Sequence, residues 1–109
     1  MEIKESDWKV FRRLHSIALE RYCQRVLEEV RATADCKGDY HDCYRKVYRL
    51  LRERDRTMAV TFDDPRRSTA FVLLVNMLAE ELLTEEELKQ FSDDSREHIE
   101  AIHKSRPSY

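Results

Sequence analysis

One glycine and two prolines among 109 residues leave this chain almost no positions at which to turn sharply. Hairpins between strands draw on glycine, asparagine and proline at set places, so a sheet of several strands lacks its turn chemistry here. Helices joined at a few polar breaks remain. Charged residues make up 39% and apolar ones 41%, the balance of a helical bundle with a charged outer surface rather than of a disordered segment. The length suits one core without metal or disulfide staples. The expected architecture is all-α, a single-domain four-helix bundle over residues 1–109.

The helices follow from apolar spacing and caps. Ser6 is the expected N-cap of a long first helix that carries Trp8, Phe11, His15, Ala18, Leu19, Tyr22, Val26 and Val30 at spacings of three and four and runs to about Ala34. A side strip of Val10, Leu14 and Ile17 widens its apolar arc, so it should touch more than one neighbour. The run from Asp35 to Asp39 around Gly38 reads as a turn. A second helix follows with Tyr40, Tyr44, Val47, Leu51 and Met58 as its inner stripe, Cys43, Tyr48 and Leu50 on the flanks, and an end near Thr61. Asp64 before Pro65 reads as an N-cap followed by a first helical residue, which opens a third helix running to about Leu83. Its middle, AFVLLVNMLA, is apolar all round and marks the most buried helix. Thr84 with Glu87 forms a capping box for the fourth helix, whose inner face is Leu88, Phe91, Ser95, Ile99 and Ile102.

Charge and cysteine usage narrow the setting. The net charge is −2 with histidine neutral, and the sequence pI is about 6.1, so no overall basic field points to nucleic acid. The longest apolar stretch, Ala70 to Ala79, is interrupted by Asn76 and is half the roughly 20 residues that a membrane-spanning helix needs. Met1 to Asp7 has neither a basic segment nor an apolar one, so export is not expected. Three cysteines, Cys23, Cys36 and Cys43, are an odd number, which favours reduced thiols and a cytoplasmic location.

The strongest binding signal lies on helix two. At about 100° per residue, Arg45, Arg49, Arg52 and Arg56 fall within an arc of roughly 60°, opposite the Tyr44 and Leu51 stripe. Four forked guanidiniums in line suit carboxylates or phosphates. The plain alternative is a solvated face whose arginines pair with acidic neighbours. Charge is also segregated along the chain, with a net +3 over Asp42 to Arg67 against −6 over Glu80 to Lys104. A second polar concentration comprises Arg54, Asp55, Asp63, Asp64, Arg66 and Arg67. It reads either as an anion site at a helix start or as an ion-pair cluster fixing the joint between helices two and three.

No residue set qualifies as catalytic. One glycine cannot build a phosphate loop, and no serine nucleophile or zinc-protease pattern occurs. Cys36, His41 and Cys43 fall short of the four ligands of a tetrahedral zinc, and the single Glu100-x-x-His103 lacks the second copy that di-iron bundles use. His15 and Asn76 read as core polar groups bonded to one neighbour. The expected role is therefore a non-catalytic protein–protein interaction or self-association module without cofactor or metal, acting through the arginine stripe and any uncovered apolar surface of helix one. The alternatives are a nucleic-acid accessory protein using the same arginines, and a small enzyme or metal carrier built on His15, Asn76 and the Arg54/Asp55 pair.

Overall fold

The computed structural model describes residues 2–106, which form five α-helices and no strand. They are α1 (Glu5–Ala34), α2 (Tyr40–Phe62), α3 (Ala70–Ala79), α4 (Glu85–Leu88) and α5 (Asp93–Ser105). The all-α expectation holds, and the count of four helices is corrected to five. α1 begins at Glu5 with Lys4 as its N-cap and no side-chain cap, so Ser6 lies inside the helix and does not cap it.

α1 and α2 run antiparallel. Glu29 faces Arg54, the Tyr22 hydroxyl donates to the Arg54 carbonyl at 2.8 Å, and His15 Nε2 donates to the Phe62 carbonyl at 2.9 Å. At 1.5 Å per residue the two helices extend roughly 45 and 34 Å, against about 15 Å for α3. The helices behind them therefore cover only one end of the pair. That end holds the core: Phe11, Leu14, Ala18 and Tyr22 of α1 and Phe62 of α2 pack on Ala70, Leu73, Leu74, Val75 and Met77 of α3, with Leu82, Phe91 and Ile99 beyond. Beyond Glu29 and Arg54 the two helices continue past the core as an arm to the turn at residues 35–39, along a molecule whose long axis is 54 Å.

The arm explains why α2 is rotated relative to the expected stripe. Cys43, Val47, Leu50, Arg54, Thr57 and Thr61 face inward, whereas Tyr40, Tyr44, Tyr48 and Leu51 face solvent. A two-helix seam has room for one narrow strip of side chains, and small or slender residues let the backbones approach. Tyrosines are hydrophobic enough to suggest a core position, but among the described residues no third helix covers them. At the tip Cys36 and Cys43 are joined in a disulfide with their Cα atoms 5.7 Å apart, so the expectation of three reduced thiols is corrected. Cys23 is the free cysteine. A Cβ at Gly38 would lie 2.3 Å from Asp42 Oδ2, so a larger residue there requires that exposed carboxylate to shift. Asp39 caps α2 by accepting from the Asp42 N–H at 2.7 Å.

The start of the third helix is also corrected. Asp64 takes a left-handed φ of 56°, which excludes the extended backbone an N-cap requires. Pro65 to Thr69 instead form a turn in which Thr69 Oγ1 accepts from the Arg66 N–H and donates to the Asp64 carbonyl. α3 opens only at Ala70 and closes at Ala79, with Glu81 at φ 58°, short of the expected Leu83. Six of its ten residues are buried, so its standing as the most buried helix survives the shortening. The expected fourth helix is divided. Thr84 and Glu87 form the anticipated capping box, yet the helix stops at Leu88 and a second N-cap, Ser92, starts α5. Phe91, Ser95 and Ile99 remain buried and Leu88 and Ile102 half-buried, so the inner face is retained across the break.

Leu74, with no exposed surface, should lose about 2–5 kcal/mol of stability on substitution by alanine, measured by denaturant unfolding. Arg49→Ala on the outer face of α2 should change it by no more than about 0.5 kcal/mol. Because among the described residues no helix besides α1 packs along the arm tip, reduction of the disulfide should accelerate amide exchange over residues 35–43 while α3 keeps its protection.

Candidate functional site

Two arcs of α2 share its solvent side. Tyr40, Tyr44, Tyr48 and Leu51 recur every three or four residues and are 97, 69, 55 and 39% exposed. Arg45, Arg49, Arg52 and Arg56, all exposed, lie on the neighbouring arc rather than opposite it as expected. The arginines therefore point away from the seam with α1, as their spacing predicts. None of the four makes an ion pair among the described residues, although Glu53 stands four residues after Arg49. The arcs touch at Tyr48, where the Arg52 guanidinium carbon lies 5.8 Å from the ring centroid. Together they form a strip roughly 20 Å long that presents aromatic rings beside unpaired cations on the arm.

The second polar set does not converge. Arg54 turns to α1, where its Nη2 donates to Glu29 Oε2 at 2.7 Å and its Nε contacts both carboxylate oxygens. This fork holds the Glu29 carboxyl below its ordinary pKa. Asp55 is exposed and Asp63 ends α2. Arg66 pairs locally with Asp64 at 2.7 Å, whereas Arg67 reaches Glu5 and lies over the Trp8 ring at 5.3 Å. Arg67 thus fastens the α2–α3 joint to the start of α1, and the six residues do not surround a common point.

The residues named for an interior site are likewise apart in their bonding. His15 binds the Phe62 carbonyl, and Asn76 donates to the Val60 carbonyl at 2.9 Å and accepts from Arg106 Nη1 at 2.6 Å. Among the described residues no three histidine, cysteine, aspartate or glutamate side chains are grouped as for a metal ion. Leu14 is fully buried and Val10 and Ile17 are half-buried against the core, so the side strip of α1 is covered rather than free.

Asp7 is the polar group that spacing did not reveal. It is 2% exposed and accepts from the Ser92 N–H at 2.9 Å, the Ser92 hydroxyl at 2.6 Å and the Ser95 hydroxyl at 2.6 Å. Burial pushes its carboxyl pKa up, and the bonds from Ser92 and Ser95 more than offset this, leaving it below the ordinary value. Further along the same side of α1, Arg21 forks onto Glu87 at 2.6 and 2.9 Å, and Arg25 donates to the Glu80 carbonyl at 2.8 Å and its carboxylate at 3.1 Å. Hydrogen bonding from Arg21 lowers the Glu87 pKa to about 2. The signal for Asp7 lay at the other end of the chain: Ser92 followed by Asp93 and Asp94 is itself a helix-start pattern.

The outer edge of the C-terminal helices is acidic. Glu81, Glu85, Glu97 and Glu100 are exposed and unpaired among the described residues. Between α3, α4 and α5, Leu78, Leu88 and Ile99 floor a cleft of about 280 Å³ edged by Glu85, Lys89, Arg96 and Glu100. No protein-family model matches this chain, and neither a curated protein nor a solved structure shows significant similarity to it.

The depressed carboxylates set the acid limit of stability. Since Glu87 titrates lower when folded than when free, its contribution is complete above pH of about 4.5 and is lost as pH falls toward about 2. Asp7 and Glu29 act in the same sense. Glu87→Gln should flatten the dependence of melting temperature on pH across that interval. Asp7→Ala should cost roughly 1–3 kcal/mol at neutral pH by leaving the Ser92 and Ser95 donors without their acceptor.

Proposed function

We propose that this chain is a non-catalytic protein-binding module whose docking face is the outer side of α2. The observation that carries this reading is the strip of four unpaired, exposed arginines beside three exposed tyrosines on an arm that projects beyond the core. Tyrosine and arginine supply much of the energy of protein interfaces, because each brings large contact area and directional hydrogen bonds. An isolated arginine on a helix is an ordinary solvated residue. Four in register without acidic partners form a field that an acidic surface would neutralise. The partner class is a protein face carrying carboxylates around apolar pockets that accept the tyrosine rings.

Arg49→Glu with Arg52→Glu tests the reading. The double reversal should abolish association while circular dichroism and melting temperature stay close to the wild type. Association should also weaken as salt rises through the physiological range, where screening shortens the reach of exposed charges to about 8 Å. An association indifferent to both changes would leave the stripe as a solvated face. Aromatic rings and guanidiniums also suit single-stranded nucleic acid. Steeply salt-dependent binding to a generic oligonucleotide, with no binding to acidic proteins, would replace the protein partner.

A further inference from the structure

We propose that the partner is a second copy of this chain, whose cleft between α3, α4 and α5 receives the tyrosine and arginine strip of α2. This rests on the reading of α2 as a docking face. The two surfaces are complementary in charge, and each carries apolar groups. The strip offers four unpaired guanidiniums beside protruding rings; the cleft offers an apolar floor of Leu78, Leu88 and Ile99 edged by Glu85 and Glu100, with unpaired Glu97 one turn before Glu100 on α5. Lys89 and Arg96, also at the cleft, have Glu86 at 3.2 Å and Asp93 at 3.8 Å beside them, which offsets their charge and leaves the cleft and its rim with an excess of carboxylates for outside cations.

Within one molecule the two surfaces do not meet. The strip runs along the side of α2 away from the α1 seam, with only Arg56 at its end bordering α3, while the cleft lies between α3, α4 and α5 and shares no residue with it. Pairing one strip with another would set arginines against arginines, which like-charge repulsion opposes. Strip against cleft instead places arginines by glutamates and tyrosine rings over an apolar floor. Two molecules side by side with long axes reversed would bring each arm to the other's cleft, forming two equivalent contacts about a two-fold axis.

The experiment is sedimentation velocity on the full, oxidised chain at tens to hundreds of micromolar, with circular dichroism to confirm folding. Wild type should associate at low salt and dissociate at about 0.5 M salt. Two charge-reversed variants, Arg49→Glu/Arg52→Glu and Glu85→Lys/Glu100→Lys, should each be monomeric alone. Mixed in equal amounts they should associate again, since each then meets the complementary charge. Glu100→Lys alone, at mid-helix, serves if the substitution at the start of α4 disturbs folding. A wild type that stays monomeric at low salt, or an association that survives either reversal, overturns the proposal. A poly-glutamate peptide keeps the two readings apart: a monomeric wild type that binds it, with the binding lost in Arg49→Glu/Arg52→Glu, retains α2 as a docking face for a different acidic protein.

Discussion

Two helices that outrun everything packed against them set the form of this molecule. α1 and α2 share a seam for most of their length, but α3 and α5 are too short to cover more than one end. Every apolar group on the uncovered part must sit in one narrow strip or face water. Cys43, Val47 and Leu50 take the strip, and the tyrosines are left outside. Exposure of Tyr40, Tyr44 and Tyr48 is thus a consequence of helix lengths, and it puts the aromatic side chains beside the arginines without any special local backbone.

The covered end is fastened by polar bonds whose members come from opposite ends of the chain. Asp7 joins the first turn of α1 to the first turn of α5, Arg21 joins α1 to the capping box of α4, and Arg25 joins it to the end of α3. All three groups on α1 fall on one side of the helix, close to the apolar row that runs from Phe11 to Tyr22. A half-buried guanidinium that forks onto a carboxylate is directional in a way apolar contact is not. These bonds fix where the short helices lie, while the apolar residues between them supply the bulk of the stability.

Much of this was legible from the sequence, and the exceptions share a cause. The turn at Gly38, the apolar character of α3, the Thr84–Glu87 capping box and the outward direction of the four arginines all depend on residues close in sequence, where spacing is informative. The rotation of α2 depended on which helices lie behind it, which hydropathy does not encode; tyrosine looks like a core residue until the core proves too short. Asp7 reads as an ordinary first-turn acid, because its partners are 85 and 88 residues away. The break before Ser92 was hidden by an inner face whose spacing continues through it. Asp64 failed as a cap because its backbone had already turned left-handed to leave α2.

The long reach of the Asp7 contact also orders the molecule in time. Closing a chain loop costs entropy that grows with the logarithm of its length, so joining Asp7 to Ser92 across 85 residues costs about 2 kcal/mol more than bringing Cys36 to Cys43 across seven. The antiparallel pair can zip from its tip through neighbours that are near in sequence, whereas the C-terminal helices must find a site on α1 from the far end of the chain. The arm is then the locally encoded half of the fold and the acidic helices its late-arriving cover, held by a few directional bonds whose loss would release them before the hairpin beneath.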